Sequence, residues 1–346
     1  MRSIPALKLV CISCAALQIA TNFACAAEAT APPVTVTATR NPVDKSYRKM
    51  LKGMDLFEKM HGMAPQASLR FKLLPRQRDT RMDGIEVDVA GDSFTDRAPV
   101  AADQTFTLER SQKSYDEDAS VRPNRKAGSL TWRAEVRTPD LPPDTRRLGD
   151  LRLECHVGME ADLVSNLLPG IGQIANFLLR VTGFCNGREV RYLFFAERPL
   201  FGVTLVAGAR REVLPVDQLY AGIGQGAIST GDLAHCDCQV LLDRTFYLPL
   251  GDASWPDDTL VVFDFMEAGT GNPDDPIVVG KSSKADVTAA FGNAAVVRFD
   301  SGFEVWAYRL PGKEKAAAGN TEFVILFDPA GIVTKIRSRT PAPNRS

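Results

Sequence analysis

Three polar side chains have the types and the order that nucleophilic catalysis needs. Ser93 lies in Gly91-Asp92-Ser93-Phe94-Thr95, directly after an apolar run, and Asp232 and His235 stand three residues apart further along the chain. In this chemistry a Ser hydroxyl attacks an ester, a His accepts its proton and an Asp orients the imidazole. Such a Ser belongs on a turn from strand to helix, whereas Ser93 is followed by Pro99 and another strand-like run.

The residues around Ser93 and His235 are similar to the pattern of the GDSL hydrolases. The resemblance implies a periplasmic serine esterase in which Ser93 is the nucleophile, His235 the base and Asp232 its orienting partner. That family's Gly-x-Asn-Asp block, which supplies oxyanion donors, and its α/β alternation are not found in this chain. We therefore expect no catalytic residue and no cofactor, with the GDSL-like esterase as the alternative.

Cysteine and histidine residues form a second group that could do chemistry. His235-Cys236-Asp237-Cys238, together with Cys155-His156 and Cys185, offers nitrogen and sulfur ligands of the kind that suit tetrahedral Zn²⁺. Neighbouring residues on a strand point to opposite faces, so only alternate members of such a run converge. No spaced pair of Cys-x-x-Cys knuckles is present. We expect disulfides at these cysteines and no metal site.

Residues 1–26 have the pattern of a secretory signal peptide. Two basic residues precede an apolar run, Leu9 to Ala24, and Ala24-Cys25-Ala26 then offers a signal-peptidase site. Asn22-Phe23-Ala24 is a poor context for lipidation of Cys25. We expect an exported protein in the periplasm, with outer-membrane association open.

Cleavage after residue 26 would change the charge and cysteine counts. It removes two basic residues and no acidic ones from 41 Lys and Arg against 42 Asp and Glu, which leaves a net charge of −3. A mildly acidic balance argues against nucleic-acid binding. Cys155, Cys185, Cys236 and Cys238 remain, and an even number in an exported chain favours disulfides. Their three possible pairings stay open.

The elements that must position these residues follow from hydrophobic periodicity. Apolar residues recur at helical spacing over Val43 to Met60, and alternation with a period of two marks strands from Ala67 to Cys155, with no helical pattern between them. Leu151-Arg152-Leu153 counts among these strands. The predicted division is a signal peptide 1–26, a linker 27–42, an amphipathic helix 43–62, a β-sandwich unit 66–155, an apolar helical segment 156–182, a second β-rich unit 183–268 and a C-terminal module 277–338.

A run of 17 uncharged residues, Leu163 to Leu179, lies between the two β-rich parts. Pro169-Gly170 interrupts it, so a membrane span would be marginal. Two short buried helices are favoured, and an interfacial hairpin that contacts a membrane surface is the alternative.

The strands from Gly91 through Pro99-Val100 to Phe106-Thr107-Leu108 loosely resemble carboxypeptidase-regulatory-like sandwich domains. This resemblance implies antiparallel β-sandwich units. It agrees with the turn-separated, alternating runs of the central chain.

The C-terminal module is predicted as a short helix with a Ser cap, followed by three or four strands that end near residue 336. Its order of residues looks like the SmpA/OmlA/BamE family of outer-membrane lipoproteins. The matching positions are Gly280, Ser282, Asp286, Val287, Phe291, Gly292, Trp306, Tyr308, Phe327, Asp328, Gly331 and Val333. The resemblance implies an envelope interaction module. Trp306 and Tyr308 are read as sheet packing on the helix, with a partner contact as the alternative.

These observations predict a mainly β protein with antiparallel β-sandwich units, short central helices and an α+β, BamE-like C-terminal module. The expected function is non-catalytic: binding or scaffolding in the bacterial cell envelope, with an envelope protein as the partner.

Overall fold

The computed structural model describes residues 44–126, 128–163, 183–187, 192–222, 241–267, 277–310 and 321–339. The α-helices in these ranges are α1 Tyr47–Met60, α2 Gln112–Asp116, α3 Leu148–Glu160 and α4 Lys284–Phe291. The strands are β1 Lys45–Ser46, β2 Ser68–Pro75, β3 Val87–Ala90, β4 Thr95–Ala98, β5 Thr105–Phe106, β6 Ser120–Pro123, β7 Leu130–Arg137, β8 Thr145–Arg147, β9 Phe194–Phe195, β10 Leu200–Ala207, β11 Arg210–Val213, β12 Thr245–Phe246, β13 Leu260–Phe265, β14 Ala295–Arg298, β15 Glu304–Leu310, β16 Thr321–Phe327 and β17 Val333–Arg339.

The strands pair antiparallel throughout the described ranges. The sheet orders are β1-β6-β3-β4, β5-β2-β7, β11-β10-β13-β8, β12-β9 and β14-β15-β16-β17. Strand β8 lies beyond β7 in the chain but joins the sheet of β10, β11 and β13. The prediction of a mainly β protein with antiparallel sheets and few helices is confirmed.

Helix α1 is shorter than the predicted segment 43–62. Ser46 is its N-cap and accepts a hydrogen bond from the Lys49 backbone N–H, so the helix begins at Tyr47. Lys45 and Ser46 pair with β6 as a two-residue strand. Met50 is fully buried in the core of the first two sheets, and Met54 packs against that core. The apolar residues that recur at helical spacing therefore pack in this core.

The strand predicted at Leu151-Arg152-Leu153 is wrong, because these residues lie within α3. Leu148, Leu151 and Cys155 face the core of the later sheets, while Leu153 and Val157 face the core of the first sheets. A helix buried on two sides has no continuous polar face, so its residues lack the amphipathic period by which helices are found.

A second short helix also contradicts the prediction of strands alone between residues 67 and 155. Helix α2 has five residues, with Ser111 as its N-cap, and one turn is too short to show a 3.6-residue period.

The C-terminal module contains the predicted helix followed by four strands. Ser283 is the N-cap of α4, and its side chain accepts a hydrogen bond from the Asp286 backbone N–H. The Asp286 carboxylate in turn accepts a hydrogen bond from the Ser283 backbone N–H, which completes a capping box. The tight turns have glycines at positive φ, Gly302 (83°) and Gly331 (79°), a conformation that glycine adopts without steric cost. The predicted order of elements and the Ser cap are therefore confirmed.

No helix among the described ranges is long and apolar enough to cross a membrane. Of the uncharged run Leu163 to Leu179, only Leu163 is described, and it is buried in the first core.

Candidate functional site

Ser93 lies in the tight turn between β3 and β4, which form an antiparallel hairpin. Its Oγ donates a hydrogen bond to Glu117 Oε1 at 2.6 Å, and its backbone N–H donates to Glu117 Oε2 at 2.8 Å. These bonds from Ser93 lower the pKa of the Glu117 carboxyl. An exposed Ser in a hairpin differs from the strand-to-helix turn that the hydrolase resemblance requires. Asp232 and His235 lie outside the described residues.

Two of the four predicted disulfide cysteines are joined to each other. Cys155 in α3 bonds to Cys185 in the 3₁₀ turn Phe184–Asn186, with 6.0 Å between their Cα atoms. A disulfide removes both thiolates as metal ligands. Cys236 and Cys238 lie outside the described residues. Within the described ranges, no three His, Cys, Asp or Glu side chains lie together as a metal site would need.

Trp306 and Tyr308 lie on the face of the C-terminal sheet that packs against α4. Tyr308 is buried, and its hydroxyl donates a hydrogen bond to the Gly292 carbonyl at 3.3 Å. Trp306 is half-buried against the ring of Phe327, with 4.7 Å between centroids. Packing accounts for both side chains, and a partner contact through them stays a prediction.

The polar faces of β2 and β7 form a buried charged surface that the alternation of residues did not reveal. In the register of the two strands, Lys72 lies opposite Arg133, and Glu135 follows two residues along β7 on the same face. The opposite face carries Trp132 and other core residues. A strand of this pattern ordinarily turns its charges to water, yet all three charged side chains are buried here.

A cavity of about 120 Å³ lies above this charged surface, where the sheet of β2 and β7 meets the sheets that contain β8, β9, β12 and β13. Its size suits a small organic group better than a single water. Charged residues and phenylalanines are interleaved in its lining, with Arg133 over the ring of Phe195 and Arg198 over that of Phe265. The lining residues are Arg133, Glu135, Arg137, Asp144, Arg146, Glu197, Arg198, Phe195, Phe246, Phe263 and Phe265, together with Thr145, Leu151 and Ala196.

Arg146 forms a buried ion pair at this cavity, while its Nε has no acceptor among the described residues. Its Nη2 donates to the Val136 carbonyl at 2.6 Å and to Glu154 Oε1 at 2.5 Å. The same carboxylate oxygen accepts the Val136 backbone N–H at 3.0 Å. Four residues earlier on α3, Asp150 accepts two hydrogen bonds from Thr138. Helix α3 therefore fixes the end of β7 through two buried carboxylates.

Arg133 differs from Arg146 because its charge is not paired. Only 7% of the residue is exposed, and its Nη2 has no hydrogen-bond acceptor among the described residues. The guanidinium lies over the ring of Phe195, 5.1 Å from the centroid. Burial lowers the pKa of Arg133, although the charges of Glu154 and Glu135 oppose that effect. An unpaired buried cation at a cavity wall is suited to receive an anion.

The carboxylates that line the cavity all have cationic partners. Glu135 accepts a hydrogen bond from Arg137 at 2.8 Å. Glu197 pairs with Lys72, and Asp144 pairs with Arg198. Within the described residues, Arg133 is therefore the charged residue of this lining that forms no ion pair.

The pKa values of the two buried glutamates move in opposite directions. Burial raises the pKa of Glu135, but Arg146, Lys72 and Arg137 outweigh burial and hold that pKa at about 2. Burial also raises the pKa of Glu154, and there the cationic neighbours do not reverse the change. Glu135 is consequently ionised at neutral pH and contributes a full negative charge beside Arg133.

The sequence did not single out Arg133, Glu135, Arg146 or Glu154. Alternating charges on a strand and acids on a helix are common at protein surfaces, so no local signal distinguishes these from solvated residues. Comparisons with protein-family models, with curated proteins and with solved structures give no match for this chain.

Proposed function

We propose that this protein is an exported, non-catalytic binding protein of the bacterial cell envelope, and that a small anion binds in the cavity beside Arg133. The observation that carries the proposal is the buried side chain of Arg133, which is part of the cavity lining and forms no ion pair with the described residues. Burying an unpaired charge costs free energy, and a bound anion offsets that cost by supplying hydrogen-bond acceptors.

The surroundings of Arg133 support binding because they are preorganised. Its strand is paired along its whole length with β2, and α3 holds the strand end through Asp150 and Glu154. A rigid wall loses little conformational entropy when a ligand arrives.

The cellular part of the proposal depends on the signal-peptide pattern and on the BamE-like order of residues in the module 277–338. The disulfide between Cys155 and Cys185 supports an oxidising compartment. An envelope protein partner, a membrane-surface contact through Leu163 to Leu179 and outer-membrane association extend the proposal. Affinity capture from envelope extracts and liposome flotation would test these extensions.

Native mass spectrometry of the full chain, exported to the periplasm of a Gram-negative host, tests the binding site. We expect a small molecule to remain bound to the wild type and to be lost from Arg133→Met. Arg97→Met is the matched control, because Arg97 is an exposed arginine that pairs with Glu86 and Asp88. Identical spectra for the wild type and Arg133→Met would contradict the proposed site.

The esterase alternative has its own test. Hydrolysis of a short-chain nitrophenyl ester is measured for the wild type and for Ser93→Ala. We expect equal background rates, since Ser93 lies in an exposed hairpin turn, where its hydroxyl donates a hydrogen bond to Glu117. Turnover that disappears in Ser93→Ala would overturn the non-catalytic function.

A further inference from the structure

We infer that β14 is a self-association surface, through which two copies of this chain pair edge to edge about a two-fold axis. The inference goes beyond the proposed anion site and does not depend on it. Three features of the C-terminal module carry the inference: the covered faces of its sheet, the composition of the β14 edge and the register in which that edge matches itself.

Both faces of the sheet β14–β17 are covered by other parts of the chain. Val305 and Val324 pack into the cluster that contains Leu200 of β10. On the opposite face, Phe327 packs with Val287 of α4. A further strand therefore joins this sheet at an edge, where backbone N–H and C=O groups lack a partner strand.

The edge strand β14 lacks the features that protect edge strands from pairing. Natural edge strands are very short, carry charges or contain proline. Every other edge strand in the described ranges has only two or three residues or carries at least two charged side chains, as β4 does with Asp96 and Arg97. Strand β14 is Ala295-Val296-Val297-Arg298, with one charge at its end. Ala295 and Arg298 are exposed, and β15 is the strand paired with β14 among those described.

The hydrogen bonds of the hairpin β14–β15 show which backbone groups point outward. The Phe299 N–H donates to the Phe303 carbonyl at 3.1 Å, so these two residues form a hydrogen-bonded pair. Hydrogen-bonded and non-hydrogen-bonded pairs alternate along an antiparallel ladder. Val296 stands three residues before Phe299, so its pair with Trp306 is a non-hydrogen-bonded one. The N–H and C=O of Val296 therefore point away from β15, towards the free edge.

A two-fold axis through Val296 gives the register in which a second copy fits. The axis places Val296 opposite Val296 of the second copy, and the two residues exchange both N–H···O bonds. Arg298 of each copy lies opposite Ala294 of the other, which keeps the two arginines at opposite ends of the paired strands. The two four-stranded sheets then become one continuous sheet.

Apolar side chains lie on one face along both sides of the axis. Val296 shares its face with Trp306, because cross-strand partners point to the same side of a sheet. The continuous sheet places these two side chains of one copy beside the same two of the other. The shared edge is short and smaller than the interfaces of permanent dimers. We therefore expect a dissociation constant between about 1 µM and 1 mM.

Sedimentation equilibrium of the full chain measures this association. We expect a monomer–dimer equilibrium for the wild type. Val296→Lys and Val296→Glu test the register, because position 296 lies opposite itself. Each variant alone brings two like charges together and should weaken dimerisation by about fivefold to tenfold. An equimolar mixture of the two variants should form a heterodimer more tightly than either variant pairs with itself.

The matched control is a charge at the same kind of position on another edge. Thr95 is exposed and follows the hairpin turn in which the Gly91 N–H donates to the Phe94 carbonyl, so its N–H and C=O also point outward from β4. Thr95→Lys should dimerise as the wild type does. Circular dichroism on each variant verifies that it is folded.

Three results would overturn the inference. A wild type that stays monomeric up to about 1 mM would exclude self-association and leave this edge to a strand of another protein. Dimerisation that neither Val296 variant weakens would place the contact elsewhere. Stronger association of Val296→Glu alone would mean that position 296 faces Arg298 of the second copy, so the proposed register would be wrong. The native mass spectra test the Arg133 cavity separately from all three.

Discussion

The C-terminal sheet β14–β17 and the sheet β5-β2-β7 are both covered on both faces, but they bury different chemistry. In the C-terminal sheet, Val305 and Val324 face one apolar cluster, while Ile325 and Phe327 face another. In the sheet β5-β2-β7, one face is equally apolar, whereas the other buries Lys72, Arg133 and Glu135.

This difference shows that folding stability alone does not explain why the sheet β5-β2-β7 buries charged residues. Two apolar faces gain free energy from burial on both sides. Each charge that leaves water loses several kcal/mol of hydration free energy. An ion pair offsets that loss only when its geometry is good. The charged face therefore has a cost that the C-terminal sheet avoids, and the same face lines the cavity.

The largest expected effect comes from breaking the buried ion pair between Arg146 and Glu154, which holds the end of β7 next to the charged face. Arg146→Met leaves the Glu154 carboxyl buried without its cation, and we expect a loss of about 3–5 kcal/mol in the free energy of unfolding. Denaturant unfolding measures it. The double variant Arg146→Met/Glu154→Leu should recover much of the loss. A change within about 0.5 kcal/mol, typical of surface positions, would show that the pair does not hold the face together.

The disulfide should come next, because it anchors the helix that carries Asp150 and Glu154. Cys155 and Cys185 are separated by 30 residues, so their bond restricts a loop for which chain entropy predicts about 3–4 kcal/mol. We expect Cys155→Ala/Cys185→Ala to lose that amount in denaturant unfolding. Reductant should destabilise the wild type more than the double variant, because the double variant already lacks the bond between Cys155 and Cys185.

The third prediction concerns acid. The pKa of Glu135 is about 2 in the folded protein and 4.5 ordinarily, so the unfolded state binds more protons between these values. Stability from Glu135 is present above pH 4.5 and is lost as the pH falls towards 2. At 1.36 kcal/mol for each pH unit, the loss is roughly 3 kcal/mol.

Glu135→Gln isolates this contribution. Denaturant unfolding at several pH values should show a shallower decline for the variant than for the wild type below pH 4.5. Glu86→Gln is a control on an exposed carboxylate and should retain the wild-type slope. Equal slopes for the wild type and Glu135→Gln would mean that the cationic neighbours do not stabilise the ionised Glu135.

The smallest expected effect has the opposite sign and contrasts the two sheets directly. Arg133→Met removes an unsatisfied buried donor and should stabilise the protein by about 1–3 kcal/mol. Val324→Thr, in the C-terminal sheet, introduces a buried hydroxyl at a fully buried position and should destabilise it by a similar amount. Thermal unfolding measures both, after any copurified small molecule has been removed, because a bound ligand would itself stabilise the wild type. A loss of stability in Arg133→Met would indicate that Arg133 serves the fold and not a ligand.

Sequence reasoning was reliable where a single element determines its own pattern. The helical spacing after Pro42 located α1, and Ser283 with Asp286 located the start of α4. It failed for α3, because a helix between two cores needs apolar residues on two sides and so loses its period. It also missed α2, which is a single capped turn.

The sequence by itself determined the strand-rich architecture, the caps and turns of the C-terminal module and the presence of cysteines suited to a disulfide. Only the tertiary structure decided that Cys155 pairs with Cys185 and that the polar face of β7 is buried. Alternation reports which residues share a face, because that follows from local backbone geometry. Whether that face meets water or another sheet depends on segments more than fifty residues away, such as Phe195 over Arg133. That contact between distant segments forms part of the candidate site.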